Sequence, residues 1–429
     1  MKVLRHPFIK QGPLILAIVM GLGLIWPLGR TLAQSASEKH EPAAATLPAD
    51  STASPLPRVF LFDAHRLQLK KEKSRAGDSS VVTAVDQLEH DAKRLLSETP
   101  PSVVEKDYTP PSGDKHDYMS QAPYFWPDPA QPEGAPYIRR DGERNPEINR
   151  LKNHQSMNRM AGNVETLAVA YYFTGNESYA DKATQFLRVW FLDSDTRMNP
   201  NLQYAQAVPG TNTGRGTGLI ESICLARLVD SIGLLHGSKS WTDENQSSLE
   251  NWYGKFLQWM IDSKNGQNEA AAKNNHGTYY DVQVASYAFF LGKTELAKAT
   301  LQQVASKRIA VQIEPDGREP LELARTKAWS YSVANLSGLM VLATLGQHVD
   351  VDLWNFHTDD GRGIQQAIDF LLPYANGEKK WSYQQLGGWS PAGFTGILRQ
   401  AVLKYPDERY SAALAKLSKD NTNWHELLR

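Results

Sequence analysis

Four apolar runs that each stop at a glycine constrain this chain more than any other feature. Residues 164–173 end at Thr174-Gly175-Asn176, residues 220–235 at His236-Gly237, residues 282–291 at Gly292-Lys293, and residues 334–345 at Gly346-Gln347. Glycine adopts the left-handed conformation of a helix C-cap without a Cβ penalty, so each run reads as a capped helix. An amphipathic run follows in most cases, at 179–191, 244–261 and 296–311. The glycines recur roughly every 55 to 60 residues, a range in which arrays of helical hairpins are expected. Strand signals are sparse. The predicted fold class is all-α: an (α/α) toroid or incomplete barrel of helical hairpins, apolar helices inside and amphipathic ones outside. Irregular all-helical packing is the alternative, because the period exceeds that of standard solenoids and the units share little beyond the turn.

A chain of 429 residues holds one large domain or two ordinary ones. Its hydrophobic content of 41% and charged content of 22% are globular values. A net charge of -1 excludes a general nucleic-acid binder but leaves room for a local basic groove. Cys224 stands alone, so there is no internal disulfide framework. It lies in an apolar run with no activating base, and reads as buried filler rather than a nucleophile.

The N-terminus has the pattern of an export signal. Lys2, Arg5 and Lys10 precede an apolar stretch at 14–25, and small residues follow around Ala33, Ser35 and Ala36. We assign 1–36 to a signal peptide, 37–57 to a disordered Ala/Pro/Ser/Thr-rich linker, and 58–429 to one folded domain. The apolar stretch is shorter than the about 20 residues a membrane span requires. The mature protein is therefore expected in the periplasm or secreted, without stable membrane association; a retained anchor is the alternative.

Residues 109–146 differ in character, being dense in Pro, Gly, Tyr and Trp. A loop this long is usually functional, and aromatics beside arginines suit sugar rings and carboxylates. Further on, Asn274-Asn275-His276 precedes an apolar helix, with Tyr279 beyond it, and Arg325 lies six residues before Tyr331. These side chains suit removal of the proton beside a carboxylate. Hydrogen-bond donors and cations neutralise the carboxylate, a base takes the proton, and an acid protonates the leaving oxygen. A tyrosine beside a guanidinium is expected to have a lowered pKa, which favours it as base. Read singly, the Asn-His pair is a helix cap, Arg325 is a surface partner of Glu319 or Glu322, and Tyr331 is a core residue.

Five stretches, in order, resemble the alginate-lyase-like superfamily of polysaccharide lyases. They are DYMSQAPYFWPDP at 117–129, PYIRRDGERNP at 136–146, MNPNLQYAQ at 198–206 with GRG at 214–216, NNH at 274–276, and RTKAWSY at 325–331. The resemblance implies a helical toroid that cleaves uronic-acid polysaccharides by β-elimination, with no cofactor and no required metal. It implies that Asn275, His276 and Arg325 neutralise the carboxylate and that Tyr331 is base, acid or both. One departure is the arginine-to-tyrosine spacing, one residue shorter here than in the better-known alginate lyases of this fold. Tyr124 and Trp126 are candidates for stacking on sugar rings, and Arg139, Arg140 and Arg144 for reading carboxylates. Tyr204, Gln206, Arg215, Asn274 and Tyr279 are candidates for lining the cleft.

The expected partner is an acidic polysaccharide, alginate or polymannuronate first and glucuronan next. Two other classes stay open. A helical-toroid glycoside hydrolase would need two carboxylates across a cleft, with Asp281, Glu319 and Glu322 nearest to hand. A non-catalytic binder of anionic polymer would need no proton acceptor. Neither oligomeric state nor endo or exo action is legible in the sequence.

Overall fold

The computed structural model describes residues 56–418 and 424–428. The expected signal peptide and nearly all of the linker lie outside the described residues.

The chain starts with α1 (Ala64–Arg75) and α2 (Ser79–Leu95). There follow α3 (Asn153–Thr174) and α4 (Glu177–Leu187), α5 (Ile223–Leu234) and α6 (Asp243–Asp262), and the short α7 (Lys264–Ala270). Next come α8 (Asn275–Phe290) and α9 (Thr294–Val304), then the single turns α10 (Ala310–Gln312) and α11 (Pro320–Leu323). The last are α12 (Ala328–Gly346), α13 (Ile364–Ala375), α14 (Thr395–Lys404) and α15 (Glu408–Leu417). The predicted apolar runs become α3, α5, α8 and α12, which pack side by side in that order. The amphipathic α4 and α9 cover α3 and α8 from outside. A final turn, Trp424–Leu428, rests on α1 and α2, and Arg399 of α14 pairs with Glu426 on it at 2.9 Å, joining the two ends of the ring. This is the (α/α) toroid expected from the sequence.

The glycine stops hold with one correction. Gly175, Gly237 and Gly292 have φ of 72°, 85° and 67° at or just past their helix ends. Gly346 instead keeps a helical φ of -56°, and the left-handed residue is Asp350 at 56°. Glycine is needed at 346 because a Cβ there would lie 2.4 Å from the Val351 carbonyl oxygen. By length and composition α12 could cross a bilayer, yet two thirds of it is buried in the core. It packs between α8 on one side and α13 and α14 on the other, as one of the inner helices of the ring.

The segment 109–146, expected to hold little regular structure, contains three short strands: β1 (Met119–Gln121), β2 (Phe125–Trp126) and β3 (Ile138–Arg139). β1 pairs in parallel with β4 (Tyr204–Ala207), and β2 and β3 form an antiparallel hairpin. Lys106 pins the root of this segment. Its Nζ lies within hydrogen-bond distance of the carbonyls of Val103, Lys115 and Asp117 and of Asn153 Oδ1 on α3. Burial brings its pKa down to about 8.

At the N-terminal edge, the buried carboxylate of Asp230 on α5 accepts three backbone N–H groups, from Phe60, Leu61 and Phe62, at 2.7–2.9 Å. Removing it strands donors that no helix or strand can satisfy. We expect Asp230→Ala to lower unfolding free energy by about 3 kcal/mol in a urea titration. A loss under about 0.5 kcal/mol would show that water replaces the carboxylate freely.

The junction of α8 with α12 matters most for function. A Cβ at Gly338 would come within 2.9 Å of Thr278 Cγ2, so only glycine admits the close crossing. Thr278 Oγ1 bonds Asn335 Oδ1 at 2.8 Å, and the Tyr279 hydroxyl donates to the Ala334 carbonyl at 2.7 Å. These bonds fix the start of α8 beside the start of α12.

Candidate active site

Asn274 stands at the N-cap of α8 in extended conformation, and its side chain makes no capping bond. The turn before it is held by Arg308, whose Nη1 and Nη2 donate to the carbonyls of Ala272 and Ala270 and whose Nε donates to Asp281. Asn275 donates through its backbone N–H and its Nδ2 to the carboxylate of Glu322 at 2.7–2.9 Å. The two protons of an amide diverge too widely for one carboxylate to take both, so one Nδ2 proton remains for a ligand. Glu322, on α11, is 1% exposed. Burial pushes its pKa up, and the bonds from Asn275 oppose that.

His276 Nδ1 lies 2.6 Å from Glu269 Oε1, at the end of α7. Glu269 is itself 1% exposed. With Glu269 as a carboxylate, which only accepts, this contact puts a proton on Nδ1, and in the neutral imidazole that leaves Nε2 as the acceptor. The imidazole is thus fixed in one tautomer by a buried acid.

Arg325 and Tyr331 flank the start of α12. The Arg325 guanidinium sits 3.9 Å from the Tyr331 ring centroid. Its Nε and Nη2 donate to Asp141 at 2.7–3.1 Å, and Thr326 adds its N–H and hydroxyl to the same residue. Burial works to raise the Asp141 carboxyl, but these donors outweigh it and hold its pKa far below the usual range. Asp141 lies in the segment that follows β3, so this pair also fastens that segment over the helical ring. Gly142 follows, where a Cβ would lie 2.3 Å from Thr326 Oγ1.

The Tyr331 hydroxyl donates to the Tyr124 hydroxyl at 2.9 Å. The sequence predicted a lowered Tyr331 pKa, and the structure reverses the sign. Burial is the largest influence and, with the Tyr124 bond, raises the phenol well above 10; the nearby Arg325 charge only offsets part of this.

These groups face one open cleft of about 450 Å³. It brings together Asn274, Asn275, His276, Arg325, Tyr331, Tyr124, Arg139, Arg144, Gln206 and Arg215 from the sequence-predicted set. It does not bring in Trp126, Arg140, Tyr204 or Tyr279. Strand alternation explains the first two. Phe125 of β2 and its partner Arg139 of β3 turn to the cleft, while Trp126 turns away, with the Arg140 guanidinium 5.2 Å from its ring. Tyr279 is a staple between α8 and α12 rather than a substrate contact. Tyr204 lies in β4 outside the lining.

Sequence reasoning missed Phe125 and the three carboxylates that orient the site: Glu269, Glu322 and Asp141. The alternative reading of Arg325, a surface pairing with Glu319 or Glu322, does not hold, because both glutamates are buried and Asp141 holds the arginine. Asn335 Nδ2 donates to Glu319, and Asp281 is paired with Arg308. Glu221 is the one carboxylate among the cleft-lining residues, and its Oε2 accepts from Tyr118 and Ser120. The two opposed acids of a glycoside hydrolase are therefore not found among the lining residues.

Residues 102–381 match the family model described as alginate lyase. The structure superimposes on an alginate lyase from Bacteroides ovatus with a TM-score of 0.84. That pair shares 40% identity, over 87% of this chain and 99% of the other. Two variants of alginate lyase A1-III, each complexed with a tetrasaccharide, share the fold at TM-scores of 0.52 and 0.51. Their identity is 14%, over 85% of this chain and 92% of theirs. No curated protein matches the chain at a significant level. Fold and sequence together define an enzyme of the polysaccharide lyase class, built on an α/α toroid. The chain belongs to the alginate lyase family.

Proposed function

We propose that this enzyme cleaves a uronic-acid polymer by β-elimination, leaving unsaturated uronate ends. Alginate rich in mannuronate is the favoured substrate and glucuronan the next. One observation carries the reading. The Tyr331 phenol of α12 lines one cleft with the neighbouring Asn275 amide and His276 imidazole of α8, the last two each held by a buried glutamate.

The C5 proton of a uronate is weakly acidic, and stabilising charge on its carboxylate lowers the barrier to an enolate-like intermediate. Asn275 offers its remaining amide proton to that carboxylate, and His276 stands beside it. Tyr331, as phenolate, accepts the C5 proton and returns a proton to the departing O4. Mannuronate and glucuronate share the C4 and C5 configuration that puts both steps on one face. Arg325, stacked on the ring, favours the phenolate.

A second reading applies to guluronate, which is inverted at C5. There the base and acid lie on opposite faces, and His276 is the base with Tyr331 as acid. The Nδ1 bond to Glu269 favours this, because it leaves Nε2 as a ready acceptor. The N-terminal signal pattern supports action outside the cytoplasm, in the periplasm or after secretion.

The test is a panel of polymannuronate, polyguluronate, glucuronan and a neutral glycan, followed by the ultraviolet absorbance of the enol ether. Absorbance rising on polymannuronate, less on glucuronan and not on the neutral glycan is expected. Reducing ends released without new absorbance would instead establish a hydrolase. Saturable binding without any cleavage would establish a binding module.

A further inference from the structure

We propose that Arg215, rather than Arg325, is the cation that meets the carboxylate of the reacting uronate; the assignment rests on the lyase reading above. Four arginines line the cleft: Arg139, Arg144, Arg215 and Arg325. Arg325 closes on Asp141 through Nε and Nη2 at 2.7–3.1 Å. Arg139 shares that carboxylate through Nη2 at 2.6 Å, and since one carboxylate balances only one of the two, the charge left over falls on Arg139, which is exposed to water. Arg144 is exposed, where water screens its field.

Arg215 differs from all three. Its Nη2 donates to the neutral amide oxygen of Gln206 at 2.7 Å, and its guanidinium lies 4.9 Å from the Phe125 ring centroid. Its Nε is buried and has no partner. Among the described residues no carboxylate forms an ion pair with it. Glu221 and Glu269 exert a field on it but are otherwise engaged, the first by Tyr118 and Ser120, the second by His276. Burial accordingly works against its charge.

Its position is also right. The next residue, Gly216, packs so closely on α7 that a Cβ there would lie 3.3 Å from the Glu269 backbone nitrogen. Arg215 therefore stands beside the segment that orients His276. Gln206, which aims the guanidinium, has a φ of 50°, a left-handed conformation rare outside glycine. Its N–H is held by Ser120 Oγ at 2.8 Å. Backbone strain fixed in this way belongs to sites that position a group.

A guanidinium closed against a carboxylate presents little net field to a third anion. A half-buried guanidinium without a counter-ion presents most of its field in a medium of lowered dielectric. An arriving uronate supplies the missing counter-ion, and the attraction grows as negative charge moves onto its carboxyl oxygens in the transition state. Arg325, with its charge already matched, acts on the Tyr331 ring beneath it.

The experiment compares a polyuronate with its methyl ester, which is neutral at the same atom. Wild type, Arg215→Gln and Arg325→Gln are assayed on both for kcat and KM. Wild type is expected to prefer the acid. Arg215→Gln should lose on the order of a hundredfold in kcat/KM on the acid and little on the ester, so that the preference collapses. Arg325→Gln should slow both substrates alike. If Arg215→Gln keeps the acid preference, or Arg325→Gln is the variant that abolishes it, the assignment is wrong although the lyase reading stands. If wild type forms no unsaturated product from any polyuronate, the lyase reading itself has failed. Should Arg215→Gln not fold, Arg215→Lys replaces it, because lysine lacks the planar fork that matches a carboxylate. It should lower the preference severalfold, and an unchanged preference overturns the proposal.

Discussion

Tyr331→Phe should cut turnover by about 10²–10⁴-fold on polymannuronate while leaving the fold in place. The ring stays under the Arg325 guanidinium, and only one bond between two phenols is lost. That bond is worth about 1 kcal/mol, so the melting temperature should barely move. A variant with full turnover would remove Tyr331 from the chemistry. The pH dependence provides a second check. Burial and the Tyr124 bond raise the Tyr331 pKa above its ordinary value of 10. A base must be deprotonated, so activity should climb with pH through the alkaline range and be low where the phenol keeps its proton. The negative Asp141 contributes to the raised value and the positive Arg325 opposes it. Asp141→Asn should therefore move the alkaline limb to lower pH and Arg325→Gln to higher pH. Shifts in the opposite directions, or a profile that neither variant changes, would assign the limb to another group.

His276→Ala is the other large effect. On polyguluronate it should remove about 10²–10⁴-fold of the rate, since the base itself is gone. On polymannuronate the loss should be smaller, because there His276 only assists in holding the carboxylate. Glu269→Gln tests the support. A glutamine can present either its oxygen or its amide protons to Nδ1, so the tautomer is no longer fixed and about a hundredfold is expected to go on polyguluronate. Full activity in His276→Ala on every polymer would sink the assignment. Equal losses on both polymers would leave His276 a single role in binding and end the two-base reading.

The fold was legible because its signals are local. A run of apolar residues ending in glycine specifies a helix and its stop without reference to anything distant, and Gly175 behaves as its sequence says. Gly346 shows the limit of such reading. It looks like the others in sequence, but its glycine answers to the carbonyl of Val351 rather than to a left-handed cap. The strands within 109–146 were missed because two- and three-residue strands are too short to show alternation. The pairing of β1 also depends on β4, far along the chain. That same alternation put Phe125 in the cleft and Trp126 outside it.

The site divides in the same way. Asn275, His276, Arg325 and Tyr331 were recognisable as residue types in motifs, and the cleft does gather them. Their partners were not. Asp141 and Arg325 are 184 residues apart, and Asn275 and Glu322 are 47 apart. Glu269 lies only seven residues before His276, yet nothing in the sequence distinguishes it from any other acid.

The sequence alone determined the helices, their order in a ring and the inventory of groups able to move a proton, since each is written in short-range pattern. The tertiary structure alone decided which charges are already matched, which phenol bonds which, and which arginine keeps its charge free. Those outcomes depend on burial and on pairing between remote segments. A charge gains its value from what surrounds it, and only the packed ring supplies the surroundings.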